Sequence, residues 1–206
     1  MPHDAYLQPY RESIDRHGVS FEATLWASQQ SQRIRFKTFT EMYAFKNKRV
    51  LDAGSSRGDF AEYLTDQSIA FERYIGVDGI EEVIAHARQS PLPNCEFHHG
   101  DLLADESLLL IGHADVITIS GTLNTMSDSQ VMRLLEAAWR AAGEAVLFNF
   151  LSDRCGPGAP PQMVPARRMD TMKLLNWALT RSCIVNFRQD YFEAGHDATI
   201  LMRKGE

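Results

Sequence analysis

Three carboxylates and two glycines set the chemistry open to this chain. In Val50-Leu-Asp-Ala-Gly-Ser-Ser-Arg-Gly-Asp-Phe60 a β-branched run turns sharply through Gly54 and Gly58 into a helical stretch. Glycines at such a turn let the backbone pass close to a ligand and adopt angles that other residues resist. The segment therefore reads as a nucleotide-type turn. A dinucleotide requires glycines at the first, third and sixth positions of that turn, so that a pyrophosphate can sit at the helix N-terminus. Counted from Gly54, those positions hold Gly54, Ser56 and Asp59, and Asp59 brings charge and bulk against the phosphates. A phosphate-free nucleoside with a cationic end fits better. Asp52, at the end of the first strand, suits the cationic end. Asp78, which closes the next strand, can accept hydrogen bonds from both ribose hydroxyls. Asp101 follows the third strand, so carboxylates stand at three successive strand ends.

The elements that must hold these groups alternate short β-branched runs with amphipathic stretches from Lys48 onward, the pattern of crossover units and a mainly parallel sheet. Seven strands are expected: 49–53, 73–78, 95–99, 115–120, 145–151, 183–188 and 198–202. Phe60, Tyr63 and Leu64 mark a helix after the first strand, and Val83, Ile84 and Ala87 one after the second. The clearest helix begins at Ser127, where Ser127-Asp-Ser-Gln130 makes a capping box, and ends near Gly143. Prolines and glycines at 153–166 predict a loop over the C-terminal edge of the sheet, with a helix near 169–180 after it. The stretch 21–45 reads as one or two helices with Leu25, Phe36, Phe39 and Tyr43 on one face, Gln32 among them and Arg35 on the border. We expect one domain over 1–206, with a helical cap at 1–47 and the core at 48–206.

The bulk numbers narrow the partners. A chain of 206 residues, 44% apolar and 23% charged, supports a single core without a metal or disulfide staple. Cys95, Cys155 and Cys183 are scattered without close Cys/His pairs, so no metal site is expected. The net charge of −6 repels a long phosphodiester tract, which favours a small-molecule partner over nucleic acid. No run approaches the roughly 18 apolar residues of a membrane span. Met1-Pro-His-Asp-Ala-Tyr-Leu7 lacks a basic region followed by an apolar one, so a cytoplasmic protein is expected.

These motifs together resemble the class I methyltransferases that use S-adenosylmethionine (SAM). Leu51-Asp-Ala-Gly-Ser-Ser-Arg-Gly58 is similar to the family's first motif and Gly76-Val-Asp78 to its second. Phe97-His-His-Gly-Asp101 resembles the third-strand exit, and Ala114-Asp-Val-Ile-Thr-Ile-Ser-Gly121 the fourth strand. Tyr191-Phe-Glu-Ala-Gly-His-Asp-Ala-Thr-Ile-Leu-Met-Arg203 resembles the closing antiparallel hairpin. The resemblance implies an α/β, Rossmann-like fold: a seven-stranded, mostly parallel sheet with helices on both faces. It also implies transfer of SAM's methyl group to an acceptor, leaving S-adenosylhomocysteine (SAH). Cofactor contacts are implied at Asp52, Gly54, Ser55 and Gly58 in the first motif, and at Asp78 and Gly79 in the second. Asp101 is implied at the adenine amino group with Leu102 as a backbone contact, and Ser120 and Gly121 beside the sulfonium. Arg35, or failing it Arg33, is implied at the methionine carboxylate. Ser56 departs from the family's usual middle glycine, and Asn124-Thr125 stands where many members carry a histidine, so no catalytic base is assigned. His17, Tyr10, Trp26, Asn124 and His196 are candidates to line the acceptor site. A SAM-binding protein without activity and an NAD-dependent oxidoreductase are the rival readings; the second lacks a Tyr-x-x-x-Lys pair.

Overall fold

The computed structural model describes residues 4–90 and 92–205. Two helices come first, α1 (Gln8–His17) and α2 (Gln29–Met42). The alternating core follows with β1 (Arg49–Ala53), α3 (Asp59–Asp66), β2 (Arg73–Asp78), α4 (Glu81–Ala87) and β3 (Cys95–His99). Then come β4 (Val116–Ile119), α5 (Asp128–Ala141), β5 (Ala145–Leu151), α6 (Thr171–Leu179), β6 (Ile184–Arg188) and β7 (Asp197–Arg203). The strands form one sheet in the order β3-β2-β1-β4-β5-β7-β6. The first five pair in parallel; β7 runs antiparallel between β5 and β6.

Burial explains why these segments are strands. Val50, Leu51, Ala53 and residues 145–148 of β5 are wholly inaccessible, as expected for parallel strands covered on both faces. Asp52, Tyr74 and Thr118 share one face, where Phe60 of α3 packs on Tyr74 and Phe36 and Phe39 of α2 pack on Phe60. The opposite face carries Ile75 beside a short turn at Glu106–His113. It also carries Phe148 against Trp177 of α6, whose indole donates to Glu136 of α5.

The helix starts follow local chemistry. Ser127 and Gln130 form the expected capping box on α5. A second box, Ser28 with Ser31, starts α2, and this corrects the placement of Leu25. That residue lies before the cap in a left-handed turn and is part-exposed, while Phe36, Phe39 and Tyr43 keep the buried face. α6 begins at Thr171, two residues later than expected, because the Asp170 carboxylate accepts the Lys173 N–H as its cap. α1 extends the expected cap toward the N-terminus, with Pro9 in its first turn and Gly18 at its end.

Candidate functional site

The sheet order places neighbours from opposite crossovers, β2 and β4, on the two sides of β1. Open α/β sheets bind ligands in the crevice that this reversal opens at the carboxyl ends of the strands. A cavity of about 430 Å³ lies there. Its walls are the ends of β1, β2 and β4, the segment 6–27, and the loop at 160–168.

The turn after β1 wraps the end of β2. Gly54 and Ser55 donate their N–H groups to Val77 O at 2.8 and 3.1 Å, and Ser56 N–H reaches Asp78 Oδ2 at 2.9 Å. Gly54 sits at φ 88°, and a Cβ there would stand 1.9 Å from Thr122 Oγ1. Only glycine brings backbone this close. Ser56 also takes a left-handed angle, φ 48°, the conformation its missing glycine would adopt freely. Ser56→Gly should therefore stabilise the protein by about 0.5 kcal/mol, the left-handed strain relieved less glycine's extra chain entropy. A rise in Tm of roughly 1–2 °C would register it; a fall would show that the Ser56 side chain matters more than its angle.

Asp78 is the centre of the nucleoside end. Besides Ser56 N–H, its Oδ1 accepts Ile80 N–H at 3.0 Å, so both oxygens are anchored while the residue faces the cavity. Burial pushes its carboxyl up to about 6, with those two bonds pulling the other way. Gly79, Ile80, Val83, Gly100 and Leu102 continue this wall in apolar form, with Leu7 packed where a Gly79 Cβ would fall. At the other side, Gly121 N–H donates to Asn149 Oδ1 at 2.8 Å, and Asn149 Nδ2 donates to Ser120 Oγ at 3.3 Å. Asn149 is 1% exposed in the middle of β5. Sequence reasoning passed over it, although a lone amide within Ala145-Val-Leu-Phe-Asn-Phe-Leu151 was the available signal.

Several expected contacts lie off the wall. Asp52 does not line the cavity: it points to the covered face of the sheet, where it accepts Tyr74 OH at 2.5 Å and Thr118 Oγ1 at 2.8 Å. It sits one residue before the end of β1, level with Gly76 and two residues short of Asp78, and burial raises its carboxyl to about 6. Gly58 packs beneath Phe97, and the Ser55 hydroxyl is buried beside Gly76, so both shape the turn from behind. Asp101 also stands behind the wall, accepting Tyr6 OH at 2.5 Å and Leu103 N–H at 2.9 Å, so it ties the segment before α1 over the β3 end. Tyr6 and Leu7 were not foreseen, since nothing in sequence marks which N-terminal residues return to the sheet.

The far end is built differently. Arg35 lines the cavity, but its charge is met by Asp197 (Nε at 2.7 Å, Nη2 at 2.5 Å) while Nη1 donates to Ser31 O. Its guanidinium lies between the Trp26 and Phe192 rings, 4.7 Å from each centroid. Tyr191 OH donates to the same aspartate. Gln32 turns instead to Asp59 at the start of α3. Tyr10, Trp26, Asn124 and His196 all line the cavity, and His17 is exposed away from it. Burial pushes the Tyr10 phenol up to about 12. The His196 imidazole is pushed below its usual range by burial, with Arg35 and Arg168 adding to the shift and Asp197 opposing it.

The donor set fits SAM. An anchored carboxylate faces the cavity where a ribose would lie, Gly54 and Gly121 line it with backbone, and Arg57, the cation of the β1 turn, is paired with Asp59 at 2.8 Å. Among the described residues no group of three His, Cys, Asp or Glu side chains converges on a metal position, and no helix is long and apolar enough to cross a membrane.

Known proteins agree with this architecture. Residues 50–144 match the family described as "Methyltransferase domain". No curated protein matches the chain by sequence. Among solved structures the chain is similar to a DhpI complex with SAM and HEP, at 16% identity over 96% of this chain and 95% of that one, with TM-score 0.68. It is also similar to magnesium protoporphyrin IX methyltransferase from Synechocystis PCC 6803 with bound SAH (14% identity, 97% and 94% covered, TM-score 0.64). An O-methyltransferase family protein from Burkholderia thailandensis aligns at 16% identity over 97% of this chain and 63% of that one, with TM-score 0.71. These likenesses establish the fold.

Proposed function

We propose that this chain is a class I SAM-dependent methyltransferase whose acceptor is a small organic molecule; the match of residues 50–144 to the methyltransferase domain supports the first part. One observation carries the second part. A single cavity continues from Asp78 past Gly121 to Trp26, Arg168 and His196, roofed by segment 6–27 and the loop at 160–168. Such a roof favours an acceptor that can be enclosed. Residues 1–47, whose described part holds α1 and α2, act as a cap on a core at 48–206. Three free thiols suit the reducing cytoplasm.

When bound, SAM supplies a methyl carbon activated by the adjoining sulfonium for in-line displacement. The chain's own work is to hold the two partners. Asp78 would accept the ribose hydroxyls, Leu102, Ile80 and Val83 would flank the base, and Asp101 would act through Tyr6 as a positioning residue. The backbone at Gly54 and Gly121 would border the amino-acid end, with Asn149 fixing Gly121. Holding nucleophile and carbon at attack distance can supply about 7–11 kcal/mol of the barrier.

The test is methyl transfer from SAM labelled in its methyl group to a panel of small hydroxyl, amine and thiol compounds. Labelled organic product supports the reading; label found on protein or nucleic acid alone would sink it. Binding of SAH carries a pH signature as well. Asp78 titrates near 6 in the free protein, and ribose hydroxyls donating to it would lower that value, so binding releases a proton. SAH affinity should hold steady above pH 7 and fall by up to about tenfold per unit below pH 6. Asp78→Asn should flatten the profile, while an unchanged slope would assign it to another group.

A further inference from the structure

The charged side chains on the far wall balance unevenly. Arg35 is neutralised by Asp197, 2.5 Å away, and the burial-depressed His196 adds no charge at neutral pH. Arg168, on the same wall, has no carboxylate within 4 Å among the described residues. Its neighbours show that this is a local arrangement. Arg167 pairs with Asp128 at 2.6 Å and Arg154 with Asp153 at 3.7 Å.

Arg168 is nevertheless held in place. Nη1 donates to Ser152 O at 2.9 Å and His196 O at 3.3 Å, and Nη2 donates to Pro160 O at 2.7 Å. Its backbone N–H is fixed by Gln162 Oε1 at 2.8 Å. Carbonyl oxygens orient a guanidinium without cancelling its charge. Nε donates to no described residue, so the guanidinium keeps donor capacity beyond its three carbonyl bonds. Guanidinium donors of this kind match carboxylate geometry. The surrounding wall is apolar, formed by Trp26, Leu151, Pro161, Met163 and Val164.

We propose that Arg168 is an anion subsite and that the acceptor is an apolar-bodied molecule carrying a carboxylate, which Arg168 holds while the methyl-accepting atom faces the β4 end. One unbalanced positive charge selects a monoanion. The assignment of this occupant as acceptor rests on the methyltransferase reading; the anion preference itself does not.

The experiment compares 4-phenylbutyrate with 4-phenylbutanamide, alike in shape and differing in charge, by calorimetry on the full chain with and without SAH. The carboxylate should bind about tenfold or more tightly than the amide in the wild type, as a charge-assisted bond from a half-buried arginine allows. Arg168→Gln should weaken the carboxylate alone and erase the difference, and Arg168→Lys should retain part of it. Equal binding of the two compounds, no binding of either, or a preference that survives in Arg168→Gln would each overturn the subsite. The wild-type comparison stands even where a variant folds poorly. SAH titrated alone separates the two readings, since failure to bind SAH overturns the cofactor site and leaves the anion preference measurable.

Discussion

Asp78→Ala should weaken SAH binding by roughly 30- to 1000-fold, or about 2–4 kcal/mol, measured by calorimetry at pH 8. Two hydrogen bonds from ligand hydroxyls to an ionised, buried acceptor are worth about 1.5–3 kcal/mol each, and part of that sum is recovered by water entering the space. The substitution also releases Ser56 N–H, which ties the β1 turn to β2, and Ile80 N–H, which closes the turn after β2. Asp78→Asn, which keeps one acceptor oxygen and the side-chain volume, should fall between wild type and Ala. Wild-type affinity in Asp78→Ala would mean that the ribose lies elsewhere and that the carboxylate serves the turn alone.

The second large effect is on stability. Asp197→Ala should lower the unfolding free energy by about 3–5 kcal/mol, because it leaves the Arg35 guanidinium buried without its counter-charge. Arg35 and Asp197 side chains are 7% and 1% exposed, so little solvent is present to compensate. For a chain of this length the loss corresponds to a fall in Tm of roughly 6–20 °C. Replacing both charges, Arg35→Met with Asp197→Leu, should restore much of it, since two apolar side chains carry no desolvation penalty. A double variant no more stable than Asp197→Ala would show that Trp26, Phe192 and Tyr191 depend on the ion pair for their own packing.

Much of this fold is written locally. The runs 49–53, 73–78 and 145–151 are strands at the expected limits because buried parallel strands are dense in β-branched and apolar residues and bounded by turn formers, and 95–99, with Phe97 alone buried, pairs as the edge strand at its expected limits too. Ser127 announces α5 for the same reason, since a capping box is a contact between near neighbours. The site was legible where a residue's role belongs to its own turn. Gly54, Asp78 and Gly121 lie on the cavity because strand ends and tight turns put them there. It was less legible where a long-range partner decides. Asp52 has the same chemistry as Asp78 and the same face of the sheet, but it lies level with Gly76, two residues short of Asp78, within reach of Tyr74 and Thr118. Arg35 could be placed near the site by helical period, whereas Asp197, which takes up its charge, lies beyond the reach of any local pattern. Arg168 was hidden in a proline-rich loop without periodicity, and its significance comes from which carboxylates it fails to meet.

The position of β7 bears on how the molecule is made. The Arg35–Asp197 pair joins residues 162 apart, and β7 must enter between β5 and β6 after both have emerged. Contacts of such span form late, because the loop they close must first be confined. A growing chain therefore has the residues of the β1 turn and the Asp78 end in hand before Arg168, His196 and Asp197 of the far wall are made. The far wall closes only when the last strand, with Asp197, takes its place between β5 and β6.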